Sequence, residues 1–141
     1  MQASFAQGGV KIDLLPAAGS QVYARVRAKQ HQAAIRLWIP DYFDAHSNAS
    51  AFAYNDGKAS TVAGLNGWQI PELSKQTLAA VAEADPAKRL DLYKKIQEEV
   101  QHNSPYVFVD QGKTQIVVRE NVKGYQQGLN ADMVYYDRVS K

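Results

Sequence analysis

The chain has 141 residues, 45% hydrophobic and 21% charged, with sixteen basic residues against fourteen acidic ones and no cysteine. That length makes one domain over 1–141 the expectation, long enough to bury roughly 68–70% of the surface an unfolded chain exposes. A net charge of +2 with no basic run gives no footprint for nucleic acid or an anionic membrane, and zero cysteines exclude disulfides, thiolate chemistry and cysteine–zinc sites.

The opening residues lack the basic start and apolar core of a signal peptide. They read as the second half of a helix closed by Gly8 and Gly9, as if the chain were a fragment. No apolar stretch approaches the ~18 residues of a membrane span. Val10, Ile12 and Leu14 alternate with Lys11 and Asp13, which predicts a strand ended by Pro16 and Gly19. Ser20 is the expected N-cap of a helix running to Gln30, with Val22, Tyr23 and Val26 as its apolar stripe. Residues 33–39 form an apolar run interrupted by Arg36, as in a strand buried on both faces. Strand, helix and strand in this order predict a parallel βαβ unit.

Residues 40–67 mix Asp, Asn, Ser and Gly with Tyr42, Phe43, Phe52 and Tyr54, with a short helix expected at 47–53 and a turn at Asn55-Asp56-Gly57. Pro71 opens the next helix, with Leu73, Leu78 and Val81 inward. Asp85-Pro86 supplies an N-cap and a first-turn proline for another, with Leu92, Tyr93, Ile96 and Val100 as its stripe and a charged face read as solvated. Residues 106–109 and 114–119 are strand-like, joined by a Gln111-Gly112-Lys113 hairpin turn. Residues 121–128 read as loop and 133–139 as a last strand or a tail.

The most informative stretch is 38–44, where an apolar run ends in Trp38, Ile39 and Pro40 and delivers two carboxylates and two aromatics. Apolar strands that stop at polar and aromatic groups are where open α/β sheets place ligands. Asp41 there is either a ligand contact or a turn cap, and Trp38 either a cleft wall or core. Asp41, Asp44 and His46 match no helix-borne zinc pattern, and Ser47 has no nucleophile elbow around it. No catalytic residue, metal or cofactor is expected. His31 and His102 stand at predicted helix ends, where they would face terminal carbonyls.

Five segments resemble the family 5 extracellular solute-binding proteins, the peptide receptors of ABC importers. Trp38-Ile39-Pro40-Asp41 is similar to the family's W–x–x–D segment, and Asp85 to Gln97 to its D–x–x–x–R–x–x–x–Y–x–x–I–Q helix. The opening helix and strand, Ser104-Pro105-Tyr106-Val107-Phe108 and Val122-Lys123-Gly124-Tyr125 follow in family order. The resemblance covers only the C-terminal lobe, so it implies an excised or truncated lobe. It implies an α/β fold, one lobe of a type II periplasmic-binding-protein-like fold, with a mixed sheet flanked by helices and no partner lobe. It further implies a non-enzymatic role in solute import, most closely of peptides, with Asp41 pairing the ligand's ammonium group. Trp38, Tyr42, Trp68 and Asn48 would line the site.

In a closed cleft, removing one partner of such a desolvated pair costs about 3–5 kcal/mol. In an open lobe the same contact is worth about 0–1 kcal/mol, so weak or undetectable binding is expected. The partners implied are a peptide or small solute and, in a full receptor, an N-terminal lobe and a membrane permease. The parent family is periplasmic; a chain without a signal peptide would stay in the cytoplasm. A competing expectation is a self-associating module, a homodimer through an exposed sheet edge.

Overall fold

The computed structural model describes residues 1–58, 61–129 and 133–141. Two units divide the chain, Met1–Ile35 and Arg36–Lys141. In the first, α1 (Gln2–Gln7) ends on Gly8, and Gly9 takes the left-handed conformation (φ 78°) that a glycine reaches without steric cost. Helix α2 (Gly19–Arg27) enters from Ala18 and has no side-chain cap, so Ser20 lies inside the helix and does not cap it. Val26 is its buried residue. Tyr23 stays exposed under the Arg27 guanidinium, 4.6 Å from the ring centre.

The second unit is built on α3 (Ala45–Phe52), the short α4 (Val62–Leu65), α5 (Pro71–Ala82) and α6 (Pro86–Asn103). Pro71 opens α5, and Asp85 caps α6 by accepting from the Ala87 and Lys88 amides (3.0 and 2.9 Å), as the residue pattern requires. Helices α3, α5 and α6 meet around Ala49, Ala53, Leu73, Ala80, Tyr93, Ile96 and Val100. Alanines at the crossing let the helices approach closely. Leu73 (1% exposed) fills the centre, and Thr77, equally buried, donates its hydroxyl to the Leu73 carbonyl (2.9 Å).

The inward face of α5 differs from the expected one. Leu78 (53% exposed) and Val81 face solvent, while Ser74, Thr77 and Ala80 face the core. Leu73, Thr77 and Ala80 recur at the spacing of one helical face, which Leu78 and Val81 leave.

Asn55 organises the connection between α3 and α5. Its Nδ2 donates to the Trp68 carbonyl (2.8 Å) and its Oδ1 accepts from the Gly57 amide (2.8 Å). Its backbone N–H donates to Ser74 Oγ (3.1 Å), and its carbonyl accepts from the same hydroxyl (3.0 Å) and from Gln69 (2.9 Å). A buried amide so fully satisfied is a structural fastener.

The mixed α/β sheet is overturned. Among the described residues the structure is 44% helical with 3% strand and no sheet, and its β contacts are two isolated antiparallel bridges, Lys123 with Ser140 and Gln127 with Val134. Residues 10–15, 33–39, 106–109 and 114–119 carry strand-like patterns but no ladder. An apolar alternation specifies which faces a strand would bury; the strand itself exists only where a second backbone supplies hydrogen bonds. The βαβ unit fails for the same reason. The expected hairpin is not closed: no turn or bend occurs from Tyr106 to Arg119, and Gly112 lacks the left-handed backbone that a three-residue hairpin loop uses. In place of a last strand, Tyr136–Arg138 is a 3₁₀ turn, and Gly124 (φ 71°) lies where a side chain would strike the Arg138 carbonyl.

Leu73→Ala is expected to lower the unfolding free energy by about 2–5 kcal/mol, because it removes a fully buried side chain and leaves a cavity among α3, α5 and α6. Urea denaturation followed by circular dichroism measures it.

Candidate functional site

The turn that follows residues 33–39 is fixed at its far end by Asp44. This carboxylate accepts from the His46 amide (2.7 Å) and so caps α3. The same carboxylate takes both terminal nitrogens of Arg89 on α6, Nη1 at 3.0 Å and Nη2 at 2.8 Å. Two parallel bonds of this kind fix orientation as well as distance. Arg89 also lies over the Tyr93 ring, 4.8 Å from its centre, and reaches the Tyr93 hydroxyl at 3.4 Å. The spacing of four residues that stacks Arg89 on Tyr93 is readable in the sequence. The distant partner, Asp44, is not, and the face of α6 expected to be only solvated holds this half-buried arginine.

The electrostatics follow from the geometry. The Arg89 guanidinium, aided by the His46 amide, holds the Asp44 carboxyl below the usual carboxylate range. The contact with Asp44 in turn raises Arg89. Burial pushes the Tyr93 phenol up. Burial likewise raises Tyr106, whose hydroxyl is enclosed without a hydrogen-bond partner among the described residues.

Asp41, three residues before Asp44, is arranged differently. Its backbone N–H donates to Ser47 Oγ (3.1 Å), which ties the turn to α3. Its carboxylate is exposed, and no hydrogen bond or ion pair engages it among the described residues. Trp38 donates its indole N–H to Asn48 Oδ1 (2.9 Å) and packs edge-on against Phe52, 5.2 Å between ring centres. The three rings of the turn, Trp38, Tyr42 and Phe43, keep a substantial exposed surface. Four of the five predicted site residues, Trp38, Asp41, Tyr42 and Asn48, thus fall on one turn and the first turn of α3.

Trp68 does not join them. It stacks edge-on against Tyr106 at 5.7 Å, and Tyr106 against Phe52 at 5.4 Å, so Trp68 is separated from Trp38 by two rings of the core. Asn48 spends its side-chain oxygen on Trp38 and orients that ring. His102 meets the Glu98 carbonyl (2.7 Å), as a histidine at a helix end does. A groove of about 600 Å³ between α5 and α6, lined by Leu73, Lys95, Glu98 and His102 among others, holds none of the predicted site residues. Among the described residues, no group of three or more His, Cys, Asp or Glu could hold a metal ion, and no helix is long and apolar enough to cross a membrane.

No family model, curated protein or solved structure matches the chain.

Because the folded-state value of Asp44 is depressed, its contribution to stability is complete above the ordinary carboxyl value of 3.8 and is lost as pH falls below it. Asp44→Asn keeps a good cap but loses the ion pair, so the stability gap between the native chain and this variant should close on acidification through that window. Asp44→Ala should lie about 1 kcal/mol below Asp44→Asn at neutral pH through loss of the cap. Denaturation curves at a series of pH values measure both.

Proposed function

We propose that residues 38–48 form the ammonium-recognising face of a solute-binding surface, with a free peptide amino terminus as the best-suited ligand. The observation that carries the reading is the contrast between two carboxylates on one turn. Asp44 is consumed by Arg89 and the α3 cap, whereas Asp41 has a pinned backbone and an exposed carboxylate that no group among the described residues engages. A carboxylate held in place costs little ordering on binding, which is the advantage of preorganisation. Exposed Trp38 and Tyr42 supply the aromatic faces that attract an organic cation.

The resemblance of Trp38-Ile39-Pro40-Asp41 to the W–x–x–D segment of peptide receptors supports the same assignment for Asp41, and supplies the role: capture of a peptide for an ABC importer, without covalent chemistry. Trp68 is not part of this surface. An exposed ion pair is worth about 0–1 kcal/mol, so the affinity of this face alone is low.

Titration of an isotope-labelled chain with a dipeptide is expected to move the Asp41 and Tyr42 amides and the Trp38 indole N–H, with a Kd on the order of millimolar. N-acetylation of the peptide, or Asp41→Asn, should weaken binding by up to ~5-fold. An acetylated peptide that moves the same resonances equally would show that no ammonium is recognised.

A further inference from the structure

The segment from Tyr106 to Val118 lies outside the proposed solute site and is rich in exposed apolar side chains. Tyr106 and Phe108 both rest on Phe52, at 5.4 and 6.0 Å between ring centres. The residue between them, Val107, is 84% exposed, and Val109 and Val117 (97%) are exposed as well. Phe108 is itself 64% exposed despite its contact with Phe52, so from Val107 onward the apolar side chains of the run stand largely in water. No backbone hydrogen bond to 107–118 occurs among the described residues, and the run has no turn that would let its two ends meet. Exposed apolar side chains along an unpaired backbone make a template for another strand.

The sequence of the run identifies which strand fits. An antiparallel pair related by a two-fold axis must place one residue opposite its own copy. With Gly112 at that position, Tyr106 faces Val118, Val107 faces Val117 and Phe108 faces Ile116 of the second copy, each pair occurring twice. The centre matches Asp110 with Thr114 and Gln111 with Lys113, so no like charges stand directly opposite. Shifting the axis to Lys113 would put two lysines face to face and Asp110 against Ile116. Gly112 also leaves the axis free of side chains where two backbones approach, and nothing lies within 4 Å of the position its Cβ would take.

We propose that this chain self-associates through residues 106–118, paired antiparallel with the same residues of a second copy about a two-fold axis at Gly112. The pairs are those a closed hairpin would make within one chain, exchanged between two chains. The interface is independent of the Asp41 reading and uses none of its residues.

The test combines light scattering across a dilution series with single-cysteine cross-linking, which is clean because the native chain has no cysteine. The chain should pass from dimer to monomer on dilution. Val117→Lys, at a position almost wholly exposed in the single chain, should keep the native circular dichroism and raise the dimer dissociation constant at least ~10-fold. Gly112→Cys should cross-link to itself under mild oxidation, since directly opposed residues lie within disulfide reach. Val117→Cys, roughly 30 Å from its own counterpart in this register, should not. A chain that is monomeric throughout, a dimer indifferent to Val117→Lys, or equal cross-linking of the two cysteine variants would each overturn the proposal. So would a monomer that pairs only with an added apolar peptide of unrelated sequence, which would place a different occupant on the run.

Discussion

A single carboxylate, that of Asp44, ties the turn after Pro40 and the start of α3 to α6, forty-five residues further along the chain. It ends the turn after Pro40, starts α3 through the His46 amide and grips Arg89 near the start of α6. The two functions reinforce each other. A charged cap prefers the positive end of the α3 dipole, and the bidentate fork of Arg89 fixes the plane of the carboxylate that does the capping. Without this contact the turn carrying Trp38, Asp41 and Tyr42 would be attached to the helices by the Ser47 hydroxyl, the Asn48 side chain and one ring contact.

Behind the turn, the rings of Trp38, Phe52, Tyr106 and Trp68 form a chain of edge-on contacts that leads from the surface to the helical core. Such geometry suits the charge distribution of aromatic faces and edges. It gives the exposed turn a rigid backing and makes Trp68 part of that backing. The same chain of rings holds Tyr106 and Phe108, so the unpaired run of 106–118 is anchored at one end while its valines stay in water. The proposed recognition of a small cation and the proposed pairing with a second copy therefore draw on two different edges of one aromatic core.

Helices whose signals are local were legible in the sequence. Pro71, Asp85-Pro86 and the stripe of Tyr93, Ile96 and Val100 each act within one or two turns of chain, and each is where the pattern puts it. The sheet was not, because alternation in 10–15, 33–39 and 106–119 describes side-chain faces and says nothing of whether a neighbouring backbone is present. Leu78 and Val81 misled for a related reason: hydrophobicity alone does not reveal which face of α5 turns to the core, and the buried face carries Ser74, Thr77 and Ala80 beside Leu73. For the site, the cluster of Trp38, Asp41, Tyr42 and Asn48 was visible since all four lie within eleven residues. The Asp44–Arg89 pair, forty-five residues apart, has no local signature.

Amide hydrogen exchange in an Arg89→Lys variant tests this account most directly, because lysine keeps the charge but cannot make the two-pronged contact. If Asp44 and Arg89 hold the turn in place, exchange at the His46 and Asp41 amides and along α3 should accelerate while the amides of α5 keep their rates. Unchanged protection at His46 and Asp41, or an equal loss across all the helices, would contradict it.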